Sequence, residues 1–286
     1  MLTRYRPYLQ LTPLLLVLLL FVAAPLFFVV IVSFFRTDGF DIQPAFSFEN
    51  YASVLSSRLT LQLYWQMVEY AALTWAITLF IGFFVAYFLV FHVRNRTVAI
   101  GLFLVCTVPF WTSNVIRMIS WLPMLGQHGV VNSALRAVGV VDEPLRFLLF
   151  SDFAVVLAYV HLFTIFMIVP IFNAMSRIDR SLFEAALDAG AGRLKTLLLV
   201  VLPLTKSGIA LGSIFVVTLV MGDFYVVKVM SGGGSASVVS AMYDDVSTLL
   251  FPHAAASAVL LMIVLTVLVA LFTRFIDVRQ ELVSQK

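Results

Sequence analysis

Charge and cysteine are both scarce in this chain. Of its 286 residues only 12% are Asp, Glu, Lys or Arg, and Cys106 is the single cysteine. So little charge cannot clothe a water-soluble domain of this length. A lone cysteine excludes an internal disulfide and any multi-cysteine metal site. The four histidines have no metal-ligand spacing, and no nucleophile elbow joins a Ser to a His and an acid. The formal net charge of +3 gives no basic excess, so no nucleic-acid partner is expected. A phosphate-cradling Gly-x-x-x-x-Gly-Lys-Ser/Thr run is missing as well. Ser231-Gly232-Gly233-Gly234-Ser235 is glycine-rich but has no lysine, and reads as an outer turn.

What is present is apolar. The chain is 62% hydrophobic, with 27 phenylalanines, and its mean hydropathy is +1.05. That composition defines a polytopic membrane protein, and its other partner is the lipid bilayer. A helix needs about 20 apolar residues to cross a bilayer. Six segments meet or approach this: Leu11–Phe35, Tyr70–Phe91, Thr97–Ile116, Phe153–Ser176, Ser207–Val227 and one inside Val246–Thr273. The first is too long for a secretion signal, and Val22-Ala23-Ala24-Pro25 is a poor cleavage site. It reads as a retained span. The fold expected is all-α with six transmembrane helices, one transmembrane domain over residues 1–286.

Lys and Arg orient the spans. With the N-terminus inside, twelve of the 18 fall on the inner side. Six fall outside: Arg36, Arg58, Arg117, Arg136, Arg146 and Lys228. Both termini are therefore expected in the cytoplasm. The outer loops are then 36–69, 117–152 and 228–245. The one large cytoplasmic loop is 177–206.

That loop reads "EAALDAGAGRLKTLLLVVLP" from Glu184 to Pro203. Asp179 and Ser181 are candidate N-caps, and Glu184 stands at capping-box spacing from Ser181. Residues 181–189 are good helix formers. Gly190 and Gly192 end or bend the helix, and a second helical piece runs from Arg193 to Leu202, stopping at Pro203. The first piece is too short to stand alone in water. Its Ala and Gly residues permit close approach, and Leu182, Phe183 and Leu187 supply apolar anchors. Composition leaves two readings open: a helix that docks in a partner's groove, or an interfacial connector.

The spacing Glu184-Ala185-Ala186, Gly190, Val200, Leu202-Pro203 resembles the EAA loop of binding-protein-dependent ABC importer permeases, with Val200 where the family pattern has Ile. Two further stretches, "VPFWTSNVIRMISWLPMLGQHGVVNSAL" (Val108–Leu135) and "MGDFYVVKVMSGGG" (Met221–Gly234), resemble the spermidine/putrescine type. The likeness implies a type I importer permease fold in a bacterial inner membrane, working by alternating access. It implies that the loop is a coupling helix seated in a cytoplasmic ATPase subunit, with Glu184, Ala185, Ala186, Asp188, Gly190, Leu202 and Pro203 as its coupling residues. The implied partners are two ATPase subunits, a second, homologous permease and an extracytoplasmic binding protein. ATP and Mg belong to the ATPase subunits, and this chain is expected to bind no cofactor and to catalyse no reaction. The implied cargo is a polyamine or related cation. Relatives with the same loop carry iron(III), phosphonate-type compounds, opine-like compounds or sulfate. A secondary transporter would need internal repeats around an ion site, and none stands out between the halves.

Polar groups inside apolar spans are costly and face a cavity or a partner. Asp223 is the foremost. It either lines the translocation path, where a carboxylate and aromatics suit a cation, or is a hydrated interfacial acid beside Lys228. Trp111, Trp121 and Tyr225 are path aromatics or members of an aromatic belt. Asn114 lies between the two tryptophans. Arg117 snorkels outward or contacts the binding protein. Asp244 and Asp245 attract a cation or form a solvated cap. Glu69 reads as interfacial. His161 reads as hydrogen-bonded between helices rather than as a proton relay.

Overall fold

The computed structural model describes residues 6–38 and 41–274, apart from the side chains of residues 6–10, 38, 180, 183, 184, 187 and 193. Among the described residues, four helices are long and apolar enough to cross a membrane: Leu11–Val32, Arg58–His92, Asp152–Met175 and Phe251–Thr273. Two bent helix pairs raise the number to six if each pair is one span. The chain divides into two units, residues 1–64 with 238–264 and residues 65–237 with 265–286.

In the first unit, α1 (Arg6–Leu18) continues through a π turn at Leu19–Ala23 into α2 (Ala24–Val32). Proline lacks the N–H that a helix interior needs. Pro13 lies inside α1, and Pro25 stands in the continuous helix just after the π turn, where the i→i−4 ladder is already interrupted because the Ala24 N–H bonds the Leu19 carbonyl. A short antiparallel hairpin follows, β1 (Arg36–Asp38) against β2 (Asp41–Gln43), with Arg36 opposite Gln43. This ribbon is an exception to the all-α expectation. Next comes α3 (Glu49–Ser56). Asn50 Nδ2 donates to the Ser33 and Phe35 carbonyls at 3.0 and 2.8 Å, closing the end of α2. The unit is completed by α15 (Val238–Ser247) and the first part of α16 (Phe251–Thr273). Tyr64 Oη donates to the Ser257 carbonyl at 2.9 Å.

The second unit is built on α9 (Asp152–Met175), whose apolar window is 61% buried, against 0% for Leu11–Val32. Ser151 caps α9 by accepting the Ala154 N–H at 3.2 Å. Most of α4 (Arg58–Tyr87) belongs here, with α5 (Arg96–Thr107), α6 (Asn114–Ile119), α7 (Trp121–Leu125) and α8 (Val130–Ala137). The loop expected on the cytoplasmic side comprises α10 (Arg180–Asp188), α11 (Arg193–Thr196) and α12 (Leu202–Leu204). They lead into α13 (Lys206–Met221) and α14 (Tyr225–Met230). α13 lies directly on α9 because Gly208 and Gly212 put no side chain between them. A Cβ on Gly208 would sit 2.5 Å from the Pro170 carbonyl, and one on Gly212 would sit 2.7 Å from Met167 Sδ. Small residues four apart allow close contact of membrane helices.

Several boundaries differ from the expected ones. α4 begins at Arg58, twelve residues before the expected start, because its outer turns mix Gln, Tyr and Glu with apolar residues and fall below the hydropathy of a span. The third span is broken. Pro109 forces a 3₁₀ turn at Val108–Trp111, Thr112 is extended, and the helices on either side are bent by 91°. The fifth span ends at Met221 rather than Val227, with a new helix after Asp223. The outer stretch 117–152 carries short helices, and its Asn132 is fully buried, fastening Gly126 and Leu145 together.

Candidate functional site

The loop expected to face the cytoplasm is assembled from local chemistry. Asp179 Oδ1 accepts the Ser181 N–H at 2.9 Å and starts α10. Asp179 is therefore the cap, and Ser181 lies inside the helix. This hydrogen bonding holds the exposed Asp179 carboxyl below its ordinary range. Gly190 has φ +80° and the Ala191 N–H bonds the Ala186 carbonyl at 3.0 Å. That bond across a left-handed residue is a Schellman stop, which orients the chain for the second piece. Ala185 also accepts, from the Ala189 N–H at 3.0 Å.

The second piece runs further than expected. α11 passes through a π turn at Leu197–Val201 into α12, and Pro203 stands just after that turn in the same continuous helix, where the Leu202 N–H already bonds the Leu197 carbonyl five residues back. Thr205 then breaks the helix, its hydroxyl bonding the Val201 carbonyl at 2.9 Å, and α13 leaves at 68°. Leu194 and Leu199 are 68% and 71% exposed and Leu202 is partly exposed, so the piece presents apolar surface outward. Glu184, Ala185, Ala186 and Asp188 share α10, while Leu202 and Pro203 stand beyond the Gly190 turn.

On the opposite flank, Asp223 Oδ1 accepts from the Val226 N–H at 2.8 Å and from the Tyr159 hydroxyl at 3.2 Å. It thus starts α14 and ties it to the buried face of α9. Tyr159 sits seven residues after Asp152, two helical turns along one face. Asp152 Oδ1 accepts from the Tyr70 hydroxyl at 2.5 Å and the Ser235 hydroxyl at 3.1 Å, and Gln66 Nε2 donates to the Tyr70 oxygen at 2.8 Å. Two carboxylates are thereby held by tyrosines. Gln66, Tyr70, Thr74 and Thr78 recur every four residues and form a polar stripe down α4. Tyr70, Thr74 and Thr78 are buried. Sequence reasoning missed Tyr70, Asp152 and Tyr159. The four-residue spacing on α4 was the signal available.

The expected path aromatics are not brought together. Trp111 is 85% exposed on the 3₁₀ turn. Trp121 turns inward, and its Nε1 donates to His161 Nδ1 at 2.9 Å, as the interhelical reading of His161 requires. Tyr225 neighbours Phe224, their centroids 6.3 Å apart. Arg117 does not snorkel: it is buried on α6, with Nη2 donating to Asn114 Oδ1. Asp244 and Asp245 belong to the first unit, and Asp245 pairs with His253 at 2.7 Å.

This fold recurs among solved structures. A chain of a bacterial alginate ABC transporter, crystallised with an alginate-pentasaccharide-bound periplasmic protein, superposes with TM-score 0.71 at 15% identity, over 94% of this chain and 93% of that one. Residues 95–282 match the family described as binding-protein-dependent transport system inner membrane component. The spermidine/putrescine transport system permease protein PotB of Haemophilus influenzae is 34% identical over 75% of this chain and 74% of its own length. PotB of Escherichia coli K12 is 30% identical over 90% and 93%. The chain therefore belongs to the family of inner membrane components of binding-protein-dependent transport systems. It is a multi-pass transport subunit rather than an enzyme.

Proposed function

We propose that this chain forms half of the translocation path of an ATP-driven importer for a polyamine or a closely related organic cation. The observation that carries the substrate class is 30–34% identity, over most of the chain, to spermidine/putrescine permeases. The local chemistry agrees with it. Asp223 and Asp152, each held by a tyrosine hydroxyl, offer carboxylates to an ammonium group, and aromatic neighbours favour cations. Arg117 has the cation's own sign and is not a direct ligand in this scheme.

Two cytoplasmic ATPase subunits hold ATP and Mg, a second homologous permease completes the path, and an extracytoplasmic binding protein delivers the cargo to the outer loops. α10 docks on one ATPase subunit, with Glu184, Ala185, Ala186 and Asp188 on the docked helix. Gly190 sets the turn, and Leu202-Pro203 carries the displacement into α13. Movement of a docked rigid helix is sufficient to switch the side to which the path opens.

The test is uptake of labelled putrescine and spermidine by cells holding the complete system, with the partner binding protein screened by thermal shift. Polyamine-dependent uptake and a matching ligand shift are expected. A binding protein stabilised by sugars or anions, and not by polyamines, refutes the substrate class while leaving the permease role intact.

A further inference from the structure

Arg117 is only 7% exposed. Its Nη2 donates to Asn114 Oδ1, while Nε and Nη1 are buried with no acceptor among the described residues. The ion pairs among those residues are Arg36–Glu49 and Asp245–His253, so no carboxylate there neutralises Arg117. A buried ion stripped of water costs several kcal/mol unless an opposite charge meets it. Water would satisfy the donors without supplying that charge.

The neighbours add donors. Guanidinium only donates, so the Asn114 atom facing it is the oxygen, and the Asn114 amide nitrogen is left with two N–H groups. An indole N–H also only donates, so Trp121 makes His161 Nδ1 an acceptor and fixes the imidazole proton on Nε2. The Trp121 and His161 rings also meet edge to face at 5.5 Å. Arg117 lies four residues, about one helical turn, before Trp121, whose indole reaches His161 on α9. The acceptors of the cluster, Asn114 Oδ1 and His161 Nδ1, are already used. What remains is the buried, unpaired Nε and Nη1 of Arg117, with further N–H groups on the exposed Asn114 and the half-buried His161.

From this set of unmatched donors around an unneutralised buried cation, we infer that Arg117, Asn114 and His161 form a binding site for a small inorganic anion of halide size, between α6 and α9 and reached from the outer side. The bound anion supplies the missing counter-charge and fastens the short helices after the 91° bend to α9. The inference does not depend on which solute the importer carries.

The test uses the complete importer, purified in nanodiscs, with chloride replaced stepwise by gluconate at constant ionic strength. A ligand that binds only the folded state raises the melting temperature in a saturable way. That rise is expected with chloride, and Arg117→Gln should raise the half-saturating chloride concentration by at least about tenfold. If Arg117→Gln does not assemble, crystals of the wild-type complex grown in bromide give the answer, with an anomalous peak at hydrogen-bond distance from Arg117. Equal melting temperatures in chloride and gluconate overturn the site, which is the result if a carboxylate of another subunit occupies Arg117. An undiminished chloride effect in Arg117→Gln, or bromide absent from Arg117, overturns it as well.

Discussion

At the residue scale, the group proposed to meet the cation is Asp223. Its carboxylate both starts α14 and receives the Tyr159 hydroxyl, so a cation that binds it is registered directly against the most buried helix. A charge-assisted hydrogen bond contributes about 1.5–3 kcal/mol, roughly tenfold to a hundredfold in affinity. Asp223→Asn keeps the cap geometry and removes the charge, so initial rates of labelled spermidine uptake should fall at least about tenfold. Tyr159→Phe removes one donor and keeps the ring stacked on Phe163 at 5.6 Å. Its loss should be only a few-fold. Unchanged uptake in Asp223→Asn takes this residue out of the path.

Asp223 was legible in the sequence because an acid inside an apolar run is conspicuous. Its partners were not. Tyr159 and Tyr70 read as ordinary span aromatics, and Asp152 reads as the flank of a span. Nothing short of the fold brings together residues 66, 70, 152 and 235. Arg117 failed for the opposite reason. Lys and Arg near a span end are counted as interfacial, and the count cannot register that this one is buried on the short helix after the 91° bend.

At the scale of elements, the cytoplasmic loop was the most legible part of the chain, because caps and stops are local. Asp179 starts α10 and Gly190 stops it, and both signals lie within a turn of the event they control. Asp179→Ala should therefore speed amide hydrogen exchange over residues 180–188, whereas Asp179→Asn, another good cap, should not. The Asp179 carboxyl is held below its ordinary range. Its contribution is thus present above the unfolded-state pKa and is lost only as pH falls through the folded one. Exchange over α10, corrected for the intrinsic pH dependence of exchange, should show no loss of this cap between pH 6 and pH 8, roughly the range where a normal carboxyl is already ionised.

Span boundaries were less legible. Hydropathy averaged over a window passes through Pro109 and Thr112 without registering the break, and it misses the outer turns of α4. The seam of α13 on α9 depends on Gly208 and Gly212, whose spacing stands out only once the facing helix is known. Gly208→Val would place a Cβ 2.5 Å from a backbone oxygen that cannot move aside. Overpacking of this kind costs about 1–3 kcal/mol, so the purified complex should melt several degrees lower. An unaltered melting temperature would show that α9 and α13 are not in contact there.

At the scale of the whole molecule, composition alone yielded the class. A chain with 12% charged residues belongs in a membrane, and one fixed-spacing stretch of twenty residues pointed to energy supplied by another chain. The cargo was never legible in composition. It rests on similarity to polyamine permeases and on two carboxylates whose partners are distant in sequence. In the function proposed above the two ends do different work: the outer flank meets the solute, and α10 with its Gly190 turn receives the mechanical input.

The most direct test of that division is a parallel measurement of ATP hydrolysis and solute uptake by the complete importer in proteoliposomes, comparing wild type with Glu184→Ala and Gly190→Val. A side chain at φ +80° is strained by about 1–2 kcal/mol, so Gly190→Val should misdirect the second piece without preventing membrane insertion. Both variants should insert and assemble, continue to hydrolyse ATP, and lose most uptake per ATP consumed. Wild-type uptake per ATP in both would contradict the assignment of α10 as the coupling element.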